Sequence, residues 1–498
     1  MIDVPASDPW LILLVVVPLL AAPLCVLLRG PAGAWSVATA VSWGVLGIAV
    51  KLLGDVLERG TLRYRIGGWD APWGIEYLLD PVGAFVVVIV AAIGAVVLPY
   101  AKSSVEKEVR SDRIYLFYAM VLLCLSGLLG IAVTGDAFNL FVFLEVSSLS
   151  SYVLISLGRD RRALTAAFRY LIMGTLGATF YIIGVGLMYQ MTGTLNIQDL
   201  TTIIPAVADT RTVLAALAFL TVGISLKLAL FPLHLWLPNA YTFAPSAVTV
   251  FLSATATKVS AYVLLRIFFT VFGQVDLFAH FPLQPVLMAM ALAAMFLASL
   301  TAIWQQNVKR MLAYSSVAQI GYTVLGISLA TEAGLSGAII HLFNHALMKG
   351  AAFMAIGAVV YATGAVTLDR LAGMGKRMPF TMAAFVVAGL GLIGMPLTAG
   401  FISKWQLITA ALESGYWPLA VLILLSSLLA VIYVWRVVEA AYLRPVPANE
   451  AWAATDRVPV GMQVPMWVLA GASVYFGTDA SFTLELAHTA ARALMGGY

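Results

Sequence analysis

Apolar runs of about twenty residues follow one another along almost the whole chain, separated by short polar or turn-rich stretches. A run of that length crosses a ~30 Å hydrocarbon core as a helix. The pattern predicts fourteen spans, starting near residues 9, 32, 80, 113, 136, 163, 211, 244, 284, 309, 335, 379, 416 and 461. The least sharp boundary lies between residues 236 and 246. No long polar insertion interrupts the series. The expected fold is therefore an all-α polytopic membrane protein, one integral domain over residues 1–498 with no soluble catalytic module. One stretch breaks the helical pattern: TLRYRIGGWDAPWGIEYLL (61–79) reads as a small β-hairpin turning at Gly-Gly.

The polar positions inside the apolar runs carry the chemistry. Lys227 sits in TVGISLKLALFPLHLWL, Lys258 in VFLSATATKVSAYVLL and Lys404 in AGFISKWQLITAAL. His341, His345 and Lys349 recur every four residues in SGAIIHLFNHALMKGAAFMAIG, hence on one helix face. Lipid does not hydrate an ammonium or imidazole, and ionisable groups at that depth mark internal proton or ion paths. Glu145, in FNLFVFLEVSSLSSYVLI, is the only carboxylate well inside an apolar run, beside Ser147, Ser148, Ser150 and Ser151. A Glu145–Lys227 pair supplies each with a counter-charge. Pairing favours the ammonium and burial disfavours it, so a change in the neighbourhood tips Lys227 toward releasing its proton.

Each position has a plainer alternative. A membrane lysine can snorkel to an interface, but Lys258 is too deep for that, and Lys404 follows the break at Pro396–Gly400. The two histidines titrate nearest neutral pH and suit a relay; otherwise they glue helices together. Lys349 fits a relay or a packing role, and His234 a side connection or a cap on a broken helix. Asp80 and Asp136 stand at helix starts and read as N-terminal caps. His280 and His488 fall in loop or tail sequence, solvated.

Composition agrees: 62% hydrophobic and 10% charged, with a mean hydropathy of +0.97, against roughly 25% charged in a soluble domain. The net charge of +4 is small and scattered, so nucleic acid is not an expected partner. Cys25 and Cys124 stand alone in apolar runs, and no metal cluster, nucleotide fingerprint or cofactor motif is present in the sequence. The amino terminus, MIDVPASDPW, lacks a basic signal stretch, so the first run is read as a retained helix. Basic residues gather after odd-numbered spans, among them Lys102, Arg110, Arg159, Arg162, Lys309, Arg310, Arg370 and Arg377. The positive-inside rule then places both termini on the outer side.

An internal echo runs through the chain. Residues 169–200 align without gaps on 340–371, matching Leu171/Leu342, Leu176/Leu347, Gly186/Gly357 and Leu200/Leu371. FPLHLWL and MPLTAGF each place Pro-Leu inside an apolar run beside a lysine, at Pro232 and Pro396. The echoes pair span six with eleven and seven with twelve. Five is odd, so the second copy, over about 284–440, is inverted relative to the first, over about 113–273. Inverted repeats with paired broken helices are a transporter architecture with the ion site near the breaks, and exposed backbone mid-membrane is tolerated only beside protein or internal water.

These same stretches resemble a known family. GDAFNLFVFLEVSSLSSYVL, KLALFPLHLWLPNAYTFAPSAVTVFLSATATKVSAYVLLR, KRMLAYSSVAQIGY, HLFNHALMKGAAF and GMPLTAGFISKW are similar to the signature regions of the proton-conducting antiporter family. It comprises the large subunits of Mrp-type cation/proton antiporters, antiporter-like subunits of respiratory complex I, and membrane-bound hydrogenases. The resemblance covers roughly residues 75–440. It implies fourteen helices with inverted five-helix repeats, other membrane subunits and the bilayer as partners, and protons with Na+ or K+ as cargo. It also implies roles for Glu145 (regulatory glutamate), Lys227 (its paired lysine), Lys258 (bridging lysine), His341 and His345 (second half-channel) and Lys404 (terminal lysine). Lysine at 404 disfavours the complex I branch with glutamate there, and a chain ending at 498 disfavours the longest branches. The type resembled most closely is the D type of Mrp antiporters, with the N type of complex I near. Leu144 departs from the aromatic residue expected before the glutamate. The expected function is proton translocation in a bacterial plasma-membrane cation/proton antiporter; the alternatives are a redox-driven pump component and a non-conducting scaffold.

Overall fold

The computed structural model describes residues 8–364, 366–445 and 457–496, except for the side chains of Ala279 and His280. Prolines set the first helix starts. α1 (Pro9–Leu28), α2 (Pro31–Arg59) and α3 (Pro81–Glu108) each open on proline, where the missing N–H breaks no intrahelical bond. Asp80 caps α3 as expected, accepting from the Gly83 N–H at 2.9 Å. Between α2 and α3, β1 (Leu62–Arg65) pairs antiparallel with β2 (Glu76–Leu79), Leu62 opposite Leu79 and Arg65 opposite Glu76. The hairpin exists, but residues 66–75 connect it rather than a tight Gly-Gly turn.

α4 (Ile114–Val133), α5 (Ala137–Ser156) and α6 (Arg161–Thr192) follow. Asp136 caps α5, accepting from the Asn139 N–H at 2.6 Å, again as expected. α7 (Ile197–Val207) is a short helix that hydropathy alone does not single out; it buries Ile197, Leu200 and Ile204 on one stripe. The seventh predicted span is α8 (Arg211–Leu228) and α9 (Trp236–Phe243), and the eighth is α10 (Ser246–Ala254) and α11 (Ala256–Arg266). α12 (Leu277–His280), α13 (Leu283–Ala293) and α14 (Ser299–Ile303) lead into α15 (Val308–Ser328) and α16 (Glu332–Thr363). α17 (Met374–Arg377), α18 (Pro379–Ile393) and α19 (Ala399–Glu413) precede α20 (Trp417–Tyr442), α21 (Val460–Thr478) and α22 (Ser481–Leu494). Every predicted span starts within three residues of a helix start.

Among the described residues eleven helices are long and apolar enough to cross a membrane, or twelve if the pair bent by 110° across Asp369–Ile393 is one span. Fourteen were expected. The spans outside the eleven are α15, the α18–α19 pair and α21. α15 is an interior helix carrying Lys309, Arg310 and Gln319, and α18 and α19 are only fifteen residues each because their span is interrupted.

Burial separates interior from lipid-facing helices. The α10–α11 span is 94% buried over its most apolar window and α3 83%, whereas α2 is 33% buried, with only one stripe packed inward. The breaks run from this interior to the surface: Ala229, Leu230 and Thr398 are buried, whereas Pro232, Leu235, Met395, Pro396 and Leu397 are exposed. α8 stops at Leu228, Ala229 takes a left-handed conformation (φ 61°), and α9 resumes at Trp236, with Pro232 between. α18 stops at Ile393, Gly394 (φ 87°) and Leu397 (φ 68°) are left-handed, and α19 resumes after Pro396 at Ala399. Left-handed Ala and Leu are unfavourable by about 1–2 kcal/mol each, so packing holds both breaks open. At the second break Gly477 of α21 lies so close to the Thr398 backbone that a Cβ would sit 2.3 Å from it.

Two backbone bridges join short segments at helix ends, Asp136 with Asn196 and Asn307 with Thr367, displaced by 171 residues along the chain (136 to 307, 196 to 367). α6 and α16 share that displacement at both ends, 161 to 332 and 192 to 363.

Candidate ion-translocation site

The crossing of α6 and α8 positions the first charge. Gly177 and Gly223 face each other so closely that a Cβ on either would lie under 3 Å from the other's carbonyl oxygen. Lys227 follows one turn later, in the last turn of α8, and its Nζ donates to Glu145 Oε1 at 3.1 Å and Ser148 Oγ at 2.7 Å on α5. The expected pair forms across facing helices. The lysine side chain is 4% exposed and the glutamate's 23%. Glu145 thus opens toward the outside of the molecule, along the face bearing exposed Phe138, Val142, Leu149 and Val153.

Lys258 is 1% exposed and has no carboxylate partner among the described residues. α10 and α11 are separated by Thr255, whose backbone (φ −125°, ψ −61°) leaves the helical region. Lys258 Nζ donates to the Ser253 carbonyl just before that interruption and contacts Thr257 Oγ1 at 3.4 Å. α11 packs on α8, the helix of Lys227; the hydrogen bonds of the two lysines lead to different helices, α10 and α5.

On α16 the face His341, His345 and Lys349 is buried completely or nearly so. The two imidazoles lie 5.9 Å apart, almost parallel, with Nε2 of each unpartnered in protein. Lys258, Lys349 and His341 all lie within electrostatic reach of His345, and Lys258 and Lys404 within reach of His341. Lys349 donates to the Leu312 carbonyl at 2.7 Å and to Ser315 Oγ, both on α15. His341 also packs toward the far end, where Lys404 lies. Nδ1 meets Ser403 Oγ at 2.9 Å, and the ring lies 5.7 Å from Tyr322. The Tyr322 hydroxyl is 3.4 Å from Ser427 Oγ, which accepts from Lys404 Nζ at 2.9 Å. Lys404 also donates to the Leu392 and Ile393 carbonyls, at 3.0 and 2.9 Å, so it caps the C-terminal end of α18.

His234 stands apart. It stacks on Phe231 at 5.0 Å and approaches Tyr314 at 6.3 Å, with Nδ1 unpartnered; these contacts involve none of the other candidates. His488 was expected in solvated tail sequence. It lies instead in α22, 3.9 Å from Glu332, because the end of the chain forms a further amphipathic helix. His280 ends α12, and its side chain lies outside the described residues. Lys309, expected among the loop charges, is 4% exposed and 3.8 Å from Glu108, which also accepts from the N-terminal Ser246 of α10. Tyr322, Ser403, Ser427 and Ser315 are invisible to a reading of hydropathy, because hydroxyls in apolar helices carry no penalty large enough to notice. Cys25 and Cys124 are both buried and free.

The structure thus brings Lys258, His341, His345 and Lys349 within one buried neighbourhood and pairs Lys227 with Glu145 near the first helix break. The family described as NADH:quinone oxidoreductase/Mrp antiporter, TM, matches residues 134–430. The chain belongs to this family. A relative named as the N subunit of NADH-quinone oxidoreductase, from Desulforudis audaxviator, is 43% identical over 94% of this chain and 95% of its own length. The D subunit of the Na+/H+ antiporter of Bacillus subtilis is 31% identical over 98% and 97%. Among solved structures, one chain of the Mrp complex from Dietzia sp. superposes with a TM-score of 0.88 at 27% identity, covering 97% of both chains. The protein is thus a polytopic membrane member of the Mrp and complex I antiporter-like group, whose Mrp and complex I structural relatives belong to multi-subunit assemblies.

Proposed function

We propose that this chain translocates protons along the line Glu145, Lys227, Lys258, His341 or His345, and Lys404, as the D-type component of an Mrp-type Na+ or K+/proton antiporter. The observation that carries it is the Glu145–Lys227 pair at 3.1 Å together with the buried cluster at the far end, in which the His341 ring lies against Tyr322 and the Tyr322 hydroxyl reaches Lys404 through Ser427. A scaffold requires no buried charges, and their desolvation is unfavourable wherever they do nothing. Adjacent sites joined by water disfavour simultaneous charging, so a proton arriving at one site releases the next. The chain lies in a bacterial plasma membrane with both termini outside, in contact with lipid and with other membrane subunits. Within its single domain, repeats 113–273 and 284–440 are related by a pseudo-two-fold axis in the membrane plane. The 171-residue displacement shared by the bridges and by α6 and α16 supports this.

The test is reconstitution of the purified complex in proteoliposomes with an imposed pH gradient. Adding Na+ or K+ with no electron donor dissipates the gradient; absence of any cation response refutes the antiporter assignment. A second assignment, a proton-pumping component of a redox-driven complex, is favoured by the 43% identity to the oxidoreductase relative against 31% to the antiporter one. Under it, a pH gradient forms only when an electron donor is supplied, and redox subunits co-purify.

A further inference from the structure

A cavity of about 400 Å³ opens at the end of the bundle that carries the hairpin. Its mouth includes exposed Gln198 and Gln274, and its floor is made by Asp80, Tyr262 and Arg266. Arg266 and Asp80 are both largely buried, with side chains 8% and 12% exposed, and pair through both guanidinium NH2 groups, one of them at 2.7 Å. Arg266 Nε donates to the Tyr262 hydroxyl at 2.9 Å, and that hydroxyl donates to the Ala132 carbonyl at 2.9 Å. Lys258, Tyr262, Arg266 and Thr270 recur every fourth residue, so they line one face of the same span. The floor of the cavity therefore lies one helical turn, ~6 Å of rise, from Lys258.

The backbone around this face is interrupted at both ends. Thr255 separates α11 from α10, and Ile267–Val271 forms a π turn directly after Arg266. Such turns concentrate at functional sites and loosen a helix locally. α11, carrying Lys258 and Arg266 together, is thus a short rigid unit between two yielding points. A pair buried only for packing would be matched or bettered by apolar side chains. This pair is instead placed at the bottom of a cavity of mixed lining, with Arg266 on the same span as a lysine of the axis.

We propose that the cavity is an aqueous vestibule for the transported proton, and that the Asp80–Arg266 pair with Tyr262 behind it is the closed gate between that vestibule and Lys258. The gate rests on the assignment of Lys258 to the proton path. While the pair is intact, its two side chains and the Tyr262 hydroxyl bond one another across the neck at the floor of the cavity and leave no place for a proton-carrying water between the cavity and Lys258. A shift of α11 that moves Lys258 moves the guanidinium with it and opens the neck.

The test uses the assembled complex in vesicles of known orientation, with Cys25 and Cys124 replaced by alanine. Gln274→Cys is expected to react with a charged, membrane-impermeant thiol reagent from one side only, and the bulky adduct to slow exchange by roughly fivefold or more. Exchange unchanged after full labelling, or no labelling, overturns the vestibule. Asp80→Asn combined with Arg266→Gln is expected to raise passive proton leak per assembled complex by roughly tenfold; a purely structural pair gives fewer assembled complexes with unchanged leak per complex. If that variant does not assemble, Tyr262→Phe, which removes the acceptor for Arg266 Nε and keeps the ring, must still raise the leak, and an unchanged leak overturns the gate. Full exchange in Lys258→Ala with the Gln274 adduct still blocking would instead overturn the axis and leave the vestibule standing.

Discussion

Replacing Glu145 by glutamine removes the only full counter-charge of Lys227 among the described residues, and little else. At 3.1 Å, with an effective dielectric of ~20, the lost attraction is about 5 kcal/mol. Breaking buried pairs by removing one partner destabilises proteins by about 3–5 kcal/mol. Glu145 is 23% exposed, and Lys227 keeps its hydrogen bond to Ser148 Oγ at 2.7 Å, so the lower end, about 3 kcal/mol, applies here. That corresponds to roughly a hundredfold change in an equilibrium that requires charged Lys227. Glu145→Gln is therefore expected to lower cation-dependent dissipation of a pH gradient by about two orders of magnitude in inverted vesicles, normalised to assembled complex. The double variant Glu145→Gln with Lys227→Met removes both charges. It is expected to recover the thermal stability of the solubilised complex and none of its exchange. That separation of stability from transport distinguishes a working pair from a structural one. Exchange above roughly a tenth of the unmodified rate in Glu145→Gln, against the hundredfold expected, would refute the reasoning, and so would exchange regained in the double variant.

Lys258→Ala is expected to be as damaging to exchange as Lys404→Ala; full exchange in an assembled Lys258→Ala complex would replace one axis with two independent half-channels. Tyr322→Phe and Ser427→Ala, which remove the hydroxyls that link Tyr322, beside His341, to Lys404, are expected to slow exchange by roughly tenfold without loss of assembly, read in the same vesicle assay. Gly477→Ala forces a methyl against the Thr398 backbone and is expected to destabilise the complex by about 1–3 kcal/mol, whereas Gly471→Ala, with open space around it, is expected to leave the melting temperature unchanged. His488→Ala removes only a partly exposed contact to Glu332 and is expected to change neither exchange nor stability measurably.

The positions of the buried charges were legible because the penalty for charge in lipid belongs to a single residue and needs no knowledge of its neighbours. Their partners were less so. The Glu145–Lys227 pair was readable by elimination, one deep carboxylate and one deep ammonium without local partners. The Ser253 carbonyl under Lys258 was not, because it becomes available through an interruption at Thr255 that no proline or glycine announces in SATATK. Arg266 was legible by the same rule as the lysines, eight residues beyond Lys258 in an otherwise apolar segment, yet it reads as a span end until the structure shows Asp80 meeting it. The basic residues used for orientation show the opposite failure. Lys309 belongs to the interior, and its vote for a loop is void. Breaks at Pro232 and Pro396 were legible because proline removes a donor wherever it stands. The extent of each break was not, because it depends on the left-handed residues Ala229 and Leu397, which no local residue type announces.

The breaks and the lysines make physical sense together. Lys404 rests on the last carbonyls of α18, and Lys258 on the Ser253 carbonyl at the end of α10. An interrupted helix leaves its final carbonyls unbonded and concentrates partial negative charge there. Those dipoles hold an ammonium at mid-membrane without a full counter-charge, which would trap the proton. They also stay in place when the lysine is neutral, so no compensating ion need move as the proton passes. Lys227 differs in having a carboxylate as well, and Glu145 is the one member of the line that reaches the outside of the molecule. On the proposed path, a full charge at that position sits where a neighbouring protein can act on it, while Lys258 and Lys404 rest on helix-end carbonyls. Along that path, Lys227 differs from Lys258 and Lys404 in having a carboxylate beside its broken helix, and that carboxylate is the exposed end on which control would act.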